Sequence, residues 1–522
     1  MADIVLINPR FEPSYWGLEH ALHLLGYQAN VPVAALPLLA AVTPVGHTLT
    51  LIDENVEDID FARCARADIV GLTGMSVQRF RMTEILEELK RRGSFTVVGG
   101  PWVTVQEDYF GSLADVIFVG EAEDTWAPFL ADWATGGHAR RYEQAEKTDM
   151  SQVPVPRYDL LKMERYAVAS IQFSRGCPFL CEFCDIIVTF GRRPRLKTSA
   201  NILAELEVLR RTPGVDTIFI VDDNFIGNKQ AIKVVLHDVI AWQRAHHYPM
   251  MFFTEATLDL ADDDELMALM VDADIRIVFV GIETPNEESL KETRKFQNLR
   301  MHGTRSLAEK VHLIQARGME VWCGMILGFD NDAPDIFDRQ LRFLKEARIV
   351  NAMVGMLAAI PKTPLYKRLA EEGRLDPADR SEYGTNVIPR GMDRRTLREG
   401  YVRVMRELYA PQAYFARLDS LYLGGGLTQS TPRRAHLRHH PFRRLLLGAS
   451  LVAEAAFVFL RLQTVVKDRE LRRTYRHSML RILFRRPQPD VLQVYALKSA
   501  MHYHYYTLTE AMAGEGPVTN SF

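Results

Sequence analysis

The chain of 522 residues reads as an α/β protein in three parts: an N-terminal doubly wound, Rossmann-like domain, a central partial (β/α)6 barrel, and a mainly α-helical C-terminal region. Three observations predict this. Short apolar runs alternate with polar helical stretches in two successive series, the first over 1–145 and the second over 160–375. From 376 to 522 the apolar positions recur at helical spacing instead. Hydrophobic residues make up 47% and charged residues 25%, the proportions of an ordinary globular protein, and the length exceeds what one core fills. Intrinsic disorder is thereby excluded as the dominant state.

The first series runs Ile4–Asn8, Leu49–Asp53, Asp68–Leu72, Thr96–Gly100 and Val116–Gly120. Near-continuous apolar runs of this length suit parallel strands buried on both faces. Gly74, Gly99, Gly100 and Gly120 stand where the chain leaves these strands. Open sheets bind ligands at that carboxyl edge, and a bare backbone can approach one there, although such glycines serve equally as turns. Val153–Tyr158, with two prolines, is the linker into the second series. That series runs Ala169–Phe173, Thr217–Asp222, Met251–Glu255, Ile277–Gly281, Val321–Leu327 and Ala352–Met356. Barrels of this kind place their active sites at the carboxyl ends of the strands.

Just after the first of these strands, three of the five cysteines fall within eight residues, Cys177-Pro-Phe-Leu-Cys181-Glu-Phe-Cys184. The C-x3-C-x2-C spacing lets three thiolates grip one face of a cubane cluster and leaves its fourth iron open for chemistry. A structural zinc needs a fourth Cys or His, and no His lies within ten residues of the triplet. A zinc knuckle or a plain buried thiol group is the alternative. Cys64 and Cys323 read as buried apolar thiols. Few cysteines and no secretory leader point to a reducing compartment, the cytoplasm.

The phrase Gln172-Phe-Ser-Arg-Gly-Cys-Pro-Phe-Leu-Cys-Glu-Phe-Cys-Asp185 is similar to the signature of the radical SAM superfamily. Upstream, Asp53-Glu-Asn, Gly71-Leu-Thr-Gly-Met-Ser, Val98-Gly-Gly-Pro-Trp-Val-Thr and Val119-Gly-Glu-Ala-Glu resemble a cobalamin-binding domain. Together they resemble the class B, cobalamin-dependent radical SAM methyltransferases, a group that includes the hopanoid methylases. The resemblance implies that Cys177, Cys181 and Cys184 hold a 4Fe-4S cluster whose open iron chelates S-adenosylmethionine, with Phe183 beside the adenine. Asp223 and Asn224 would lie near the methionine amino group, or cap the next helix. Glu255 and Glu283 would reach the ribose or methionine portion, or be held by an arginine. Gly324 and Gly328 match a Gly-x-Ile-x-Gly strand whose backbone groups face the adenine. Two departures stand out: Asp-x-His-x-x-Gly is absent, so cobalamin is expected without histidine ligation, and Gly-Glu-Ala-Glu replaces the commoner Gly-Glu-Gly-Glu.

The implied reaction spends one S-adenosylmethionine on methylating cobalamin and a second on a 5'-deoxyadenosyl radical, and ends in methylation of an unactivated carbon of a lipid or other small molecule. A flavodoxin- or ferredoxin-type donor would supply electrons. The alternatives are a cobalamin-dependent radical cyclase, resembling the anaerobic magnesium-protoporphyrin ester cyclase, and an iron–sulfur binding or sensing protein without turnover. No catalytic acid, base or substrate-contacting residue is identifiable. Arg192, Arg193, Arg195 and Lys197 form a basic run that suits a solvated face or an anion clamp.

In the C-terminal region, Thr385–Met392 and Gly400–Pro411 are expected to be helical and amphipathic. Thr431 to Pro489 carries fourteen Lys and Arg against three Asp and Glu. Within it, Leu445–Leu460 is apolar but only sixteen residues long and includes Glu454, short for a membrane span. An apolar helix between basic segments suits peripheral contact with the anionic inner face of a membrane, or a buried helix in a basic surround. Tyr503, Tyr505 and Tyr506 interleave with His502 and His504, but no nucleic-acid partner is expected.

Overall fold

The expected strands of the first series form one parallel sheet. In a computed structural model, which describes all residues except 300–304, 426, 428–431, 513–517, 519 and 521–522, they are β1 (Asp3–Asn8), β2 (Thr48–Asp53), β3 (Ile69–Thr73), β4 (Thr96–Gly99) and β5 (Val116–Val119). A sixth strand, β6 (Arg141–Glu143), was not expected, because its Arg-Tyr-Glu is a polar edge with no apolar run. The order is β2-β1-β3-β4-β5-β6. Alternate residues feed two cores: Val5, Ile7, Val70 and Val98 pack under helix Arg79–Arg91, and Ile4, Leu6, Val97 and Phe118 under helix Glu123–Ala134. Helices on both faces make the domain doubly wound, and the chain reverses direction across the sheet between β1 and β3, the place where such sheets open a ligand crevice.

The second sheet begins with β7 (Ala169–Ile171), followed by the antiparallel pair β8 (Ser174–Arg175) and β9 (Arg195–Leu196), which closes the cysteine loop at its base. Then come β10 (Thr217–Ile220), β11 (Met251–Ala256), β12 (Ile275–Glu283), β13 (Glu320–Leu327) and β14 (Ala352–Met356). Its order, β14-β13-β12-β11-β10-β7, is sequential and parallel throughout. Six strands joined by outer helices leave an open, partial barrel. Phe219 and Phe253 stack with centroids 4.5 Å apart, and Trp16 reaches to within 6.1 Å of Phe219 and 5.0 Å of Phe279. Trp322 continues the row 6.5 Å from Phe253.

Three sequence expectations need correction. Residues Tyr15 to Leu24, including helix Glu19–Leu25, pack into the barrel and tail core rather than onto the first sheet; Tyr15 stacks on Tyr505 at 4.8 Å. Thr385–Met392 is irregular, with Val387 buried and bridged to Leu375. Pro389 and Gly391 oppose helix there, and a Cβ on Gly391 would overlap the Asp332 carbonyl. The apolar tail segment is the middle of a longer helix, Pro441–Val465, of 25 residues, about 37 Å at helical rise. Flanking polar residues extend it past the apolar run, so by length and composition it suffices to cross a membrane.

The two sheets meet through charge. Glu121, in the loop leaving β5, accepts from Arg175 Nη1 at 2.7 Å and from Arg195 Nη2 at 3.1 Å, while Arg175 Nη2 reaches Glu123 at 2.7 Å. Arg175 and Glu121 are both buried. A Glu121→Ala substitution leaves Arg195 without its carboxylate and Arg175 with Glu123 alone, and breaking a buried pair costs about 3–5 kcal/mol. We expect amide protection across 174–196 to fall accordingly in hydrogen exchange, whereas the exposed Arg157–Asp159 pair tolerates Asp159→Ala with no such loss.

Candidate functional site

The cysteine loop hangs from the carboxyl end of β7, held by backbone geometry that only glycine allows. Gly176 has φ +92°, and a Cβ there would stand 2.9 Å from the carbonyl oxygens of both Gly191 and Arg193. Its N–H donates to Asp223 at 2.8 Å, and Cys177 N–H donates to the Gly191 carbonyl at 3.2 Å. Asp222, one residue earlier, accepts from Phe173 N–H and Ser174 Oγ at 2.7 and 2.6 Å. On the far side of the loop, Arg368 holds Glu182 at 2.7 Å and Asp330 at 2.7 Å. The loop is thus braced on both sides.

Cys181 is buried and Cys177 and Cys184 are half-buried. Burial raises the Cys177 thiol, and raises Cys184 further with help from Asp185. Among the described residues, the one set of three His, Cys, Asp or Glu ligand atoms lying within 4.8 Å of one another is elsewhere, on three histidines. Three thiols on one loop, with no histidine between residues 167 and 194, fit a cluster with one open iron better than a structural zinc site, which takes four ligands. Two amide side chains aim at them: Asn224 Nδ2 lies 3.8 Å from Cys177 Sγ, and Gln297 Nε2 lies 3.6 Å from Cys181 Sγ. Lys295 favours ionisation of Cys177, and its own pKa is raised, against the pull of burial, by Glu283 and by Cys181 and Cys184.

Glu283 and Lys295 pair at 2.7 Å, both buried, so a lysine holds the carboxylate where an arginine was the expectation. Glu283 also sits at φ +67°, a left-handed strain seen more often at functional sites. Neither Asp223 nor Asn224 caps a helix; Asn228 does. Among the described residues, no cation pairs with Glu255 at the end of β11. Burial, then Asp223 and Asp222, push it up to about 8, and burial pushes Asp223 to about 7. A desolvated carboxyl such as Glu255, with no cation among the causes of its shift, fits a cationic ligand, and S-adenosylmethionine carries an ammonium and a sulfonium group. Phe183 packs against Phe329 with centroids 6.2 Å apart, beside the end of β13. There Gly328, at φ +98°, turns the chain and donates its N–H to Asp332 at 3.0 Å. Gly324 pairs in register with Gly281 and Met353 in mid-sheet.

The basic run splits. Arg195 pairs with Glu121, and Lys197 with the buried Glu205, so these two form neither a solvated face nor an open anion clamp. At the carboxyl edge of the first sheet, Gly74 and Gly99 are packing glycines, since a Cβ would meet Met82 Sδ at 2.5 Å or Phe118 Cβ at 3.3 Å. Gly100, at φ +97°, lets β4 turn against Thr73 and Gly74, and Gly120, at φ +80°, faces open space. Met75 and Val77 expose apolar surface on this rim. An open, partly apolar edge fits a corrin face. The sheet's histidines, His47 and His138, lie at the opposite edge, beside Ala2 and Phe95, so this edge offers no imidazole from either.

Comparison with known proteins agrees with this geometry. Residues 27–130 match the B12 binding domain, 171–357 the radical SAM superfamily, and 363–516 a domain of unknown function, DUF4070. An uncharacterized methyltransferase of Synechocystis is 40% identical over 79% of this chain and 77% of its own. The hopanoid C-2 methylase of Rhodopseudomonas palustris is 32% identical over 83% of this chain and 82% of its own. The chain belongs to the cobalamin-dependent radical SAM methyltransferases. The solved structure of the cobalamin-dependent S-adenosylmethionine radical enzyme OxsB with aqua-cobalamin bound shares its fold, with a TM-score of 0.62 and 15% identity over all of this chain and 82% of that one. Its cofactors, as a member of this family, are a 4Fe-4S cluster, S-adenosylmethionine and cobalamin, and it is an enzyme that methylates carbon.

The functional neighbours that sequence reasoning missed are Arg175, Lys295 and Gln297. Arg175 lies inside the cysteine signature, whereas Lys295 and Gln297 lie at the short 3-10 helix Phe296–Asn298, which carries no motif. The raised carboxyl yields a prediction for the cofactor-free protein. Glu255 is raised from the ordinary carboxyl value of 4.5 to about 8, so the stability its protonated form provides is whole below the unfolded value and is lost as pH rises from there through about 8. Glu255→Gln is expected to match the wild type in melting temperature at pH 4 and to exceed it at pH 9; an equal difference at both pH values would contradict the assignment.

Proposed function

We propose that this methyltransferase acts on an apolar polycyclic or isoprenoid lipid, presented at the inner face of a membrane, and that Cys177, Cys181 and Cys184 are its cluster ligands. The aromatic row Phe219, Phe253, Phe279 and Trp322 carries the substrate reading. It offers flat aromatic surface inside the barrel, its one polar group, the Trp322 indole N–H, being taken up by Glu320 at 2.9 Å, and suits an apolar ring system. The relative from Rhodopseudomonas palustris is a hopanoid methylase, which supports the same class.

When bound, the cluster and S-adenosylmethionine supply a hydrogen-abstracting radical, and cobalamin supplies the methyl group. The chain's own residues bind and orient. Asp223 and Glu255 give up their protons to accept a cationic cofactor, and Asn224, near Cys177, holds that edge of the site. Glu283, held by Lys295, fixes the wall between β12 and the cysteine loop. Phe183 and the Gly324–Gly328 strand provide an apolar seat for a purine. Gly100, Gly120 and the Met75 rim provide a surface for the corrin on the domain spanning roughly 1–145. A flavodoxin- or ferredoxin-type donor would approach the exposed side of the cysteine loop.

Exposed apolar side chains support the membrane. Phe442, Leu445 and Leu460 on helix Pro441–Val465 are 71%, 70% and 62% exposed, and Phe484 on the next helix is 82% exposed. The opposite side of the first helix is anchored, with Ala455, Val458 and Leu462 buried and Arg461 donating to the His23 carbonyl at 2.6 Å. Anchored on one side and apolar on the other, the helix suits lying in the interface rather than crossing it. His502, His504 and Tyr505, by contrast, are buried in helix packing.

Two experiments test these readings. Enzyme reconstituted anaerobically with iron, sulfide and hydroxocobalamin, then reduced with S-adenosylmethionine and a hopanoid, is expected to yield the methylated hopanoid, 5'-deoxyadenosine and S-adenosylhomocysteine, all lost in Cys184→Ala. Methylation of a water-soluble tetrapyrrole in preference to the hopanoid would overturn the lipid reading. The wild type is expected to sediment with phosphatidylglycerol vesicles, Phe442→Glu/Leu445→Glu to stay in the supernatant, and Arg443→Glu/Arg444→Glu to bind weakly with a flatter salt dependence.

A further inference from the structure

A second set of ligating side chains lies at the other end of the barrel from the cysteines. His247 follows helix Lys229–Ala245 and precedes β11, while His436 lies on helix Pro432–Leu437 and His440 just beyond it. One ring nitrogen from each lies within 4.8 Å of the other two. His247 Nδ1 and His436 Nε2 are 3.0 Å apart, and the His440 ring centroid is 4.7 Å from that of His247 and 4.8 Å from that of His436. Zinc bound tetrahedrally at about 2.0–2.1 Å from each nitrogen spaces its ligands about 3.3 Å apart. The rings therefore stand close to ligating positions.

A hydrogen bond between His247 and His436 accounts for two of the rings but gives His440 no partner. His247 and Tyr248 both lie at positive φ, 62° and 56°, a costly pair of backbone conformations for non-glycine residues that turns His247 back toward the tail. All three rings are half-buried and reachable by a small ion. Burial, and then Arg443, His440 and His246, lower the pKa of His247; burial, and then the neighbouring histidines and Arg244, lower that of His436. Neutral imidazoles keep a lone pair free. With Arg443 and Arg244 as the charged neighbours, the site offers nothing to a hard cation such as calcium or magnesium and suits a borderline ion with an affinity for nitrogen.

We propose that His247, His436 and His440 form an open three-histidine site for a transition-metal ion of the zinc class, which clamps the C-terminal tail to the amino-terminal end of the barrel. The same tail segment is docked beside it by Arg433, whose Nε lies 3.1 Å from Asp274 ahead of β12. His440 is also the N-cap position of the apolar helix Pro441–Val465, so the ion would set where that helix begins. The inference is independent of what the exposed face of the helix touches.

The test uses the full chain carrying Cys177→Ala, Cys181→Ala and Cys184→Ala, so that no cluster thiol competes, titrated with cobalt(II). Visible d–d absorption saturating at one equivalent, without a sulfur-to-cobalt charge-transfer band, is the expected result. His247→Asn, chosen because asparagine tolerates the left-handed backbone, and His440→Ala are each expected to abolish saturation while keeping the parent's far-UV circular dichroism. In the cluster-loaded wild type, zinc is expected to raise the melting temperature and protect 432–440 from proteolysis, and His440→Ala to show neither effect. Absence of saturable cobalt binding, or binding unchanged in both folded histidine variants, would overturn the site.

Discussion

The buried ion-pair group of Glu121 and Glu123 with Arg175 and Arg195 is the constraint on which the rest of the site depends. The carboxylates belong to the edge of the first sheet and the guanidinium groups to the two short strands that close the cysteine loop. Because an unpaired buried charge costs several kcal/mol, neither domain can shift without the other, and the carboxyl edges of the two sheets are held facing one another. A reaction that passes a methyl group from one domain's cofactor to a carbon activated in the other requires that alignment. Tyr166 on Asp53 and Lys362 on Glu107 add to it.

Charge serves a different purpose under the loop. Asp222 and Asp223 tie down its backbone, whereas Glu255 is desolvated and, among the described residues, has no counter-cation, which favours a cationic ligand beside it. Lys295 sits on the other side, paired with Glu283 and facing the thiols. Positive charge beside the sulfurs and desolvated carboxyls beneath the loop give the site a direction. Anionic sulfur is favoured on one side and cationic ligand on the other.

The tail combines two kinds of surface. Its inner side packs against the barrel and residues Tyr15–Leu24 through aromatic contacts, such as Tyr15 on Tyr505, and its outer side leaves large apolar side chains in solvent between arginines. Burying those side chains is worth roughly 1.5–3 kcal/mol each, which is a strong drive toward an apolar partner. A substrate that dissolves only in lipid would make such a surface useful, because the barrel's aromatic interior and the membrane would then share one apolar ligand.

Periodicity and spacing in the sequence determined eleven of the twelve strands in the two principal sheets, the doubly wound and partial-barrel classes, and the cysteine triplet, because buried parallel strands demand continuous apolar runs and thiol spacing is local. Their bounds moved by no more than a residue or two, as from Asp68–Leu72 to Ile69–Thr73. The polar edge strand Arg141–Glu143 and the irregular Thr385–Met392 escaped, since their conformations come from neighbours rather than from their own pattern. Only the tertiary structure decided which carboxylates are paired and which are left waiting: Glu255 and Glu283 look alike in sequence, yet one meets Lys295 and the other meets Asp223. It alone brought Gln297 to Cys181, Arg195 to Glu121, and His247 to His436 across long stretches of chain. Local pattern encodes which surfaces must be buried; the partner of a buried charge is set by the packing of elements distant in sequence, and no local pattern records it.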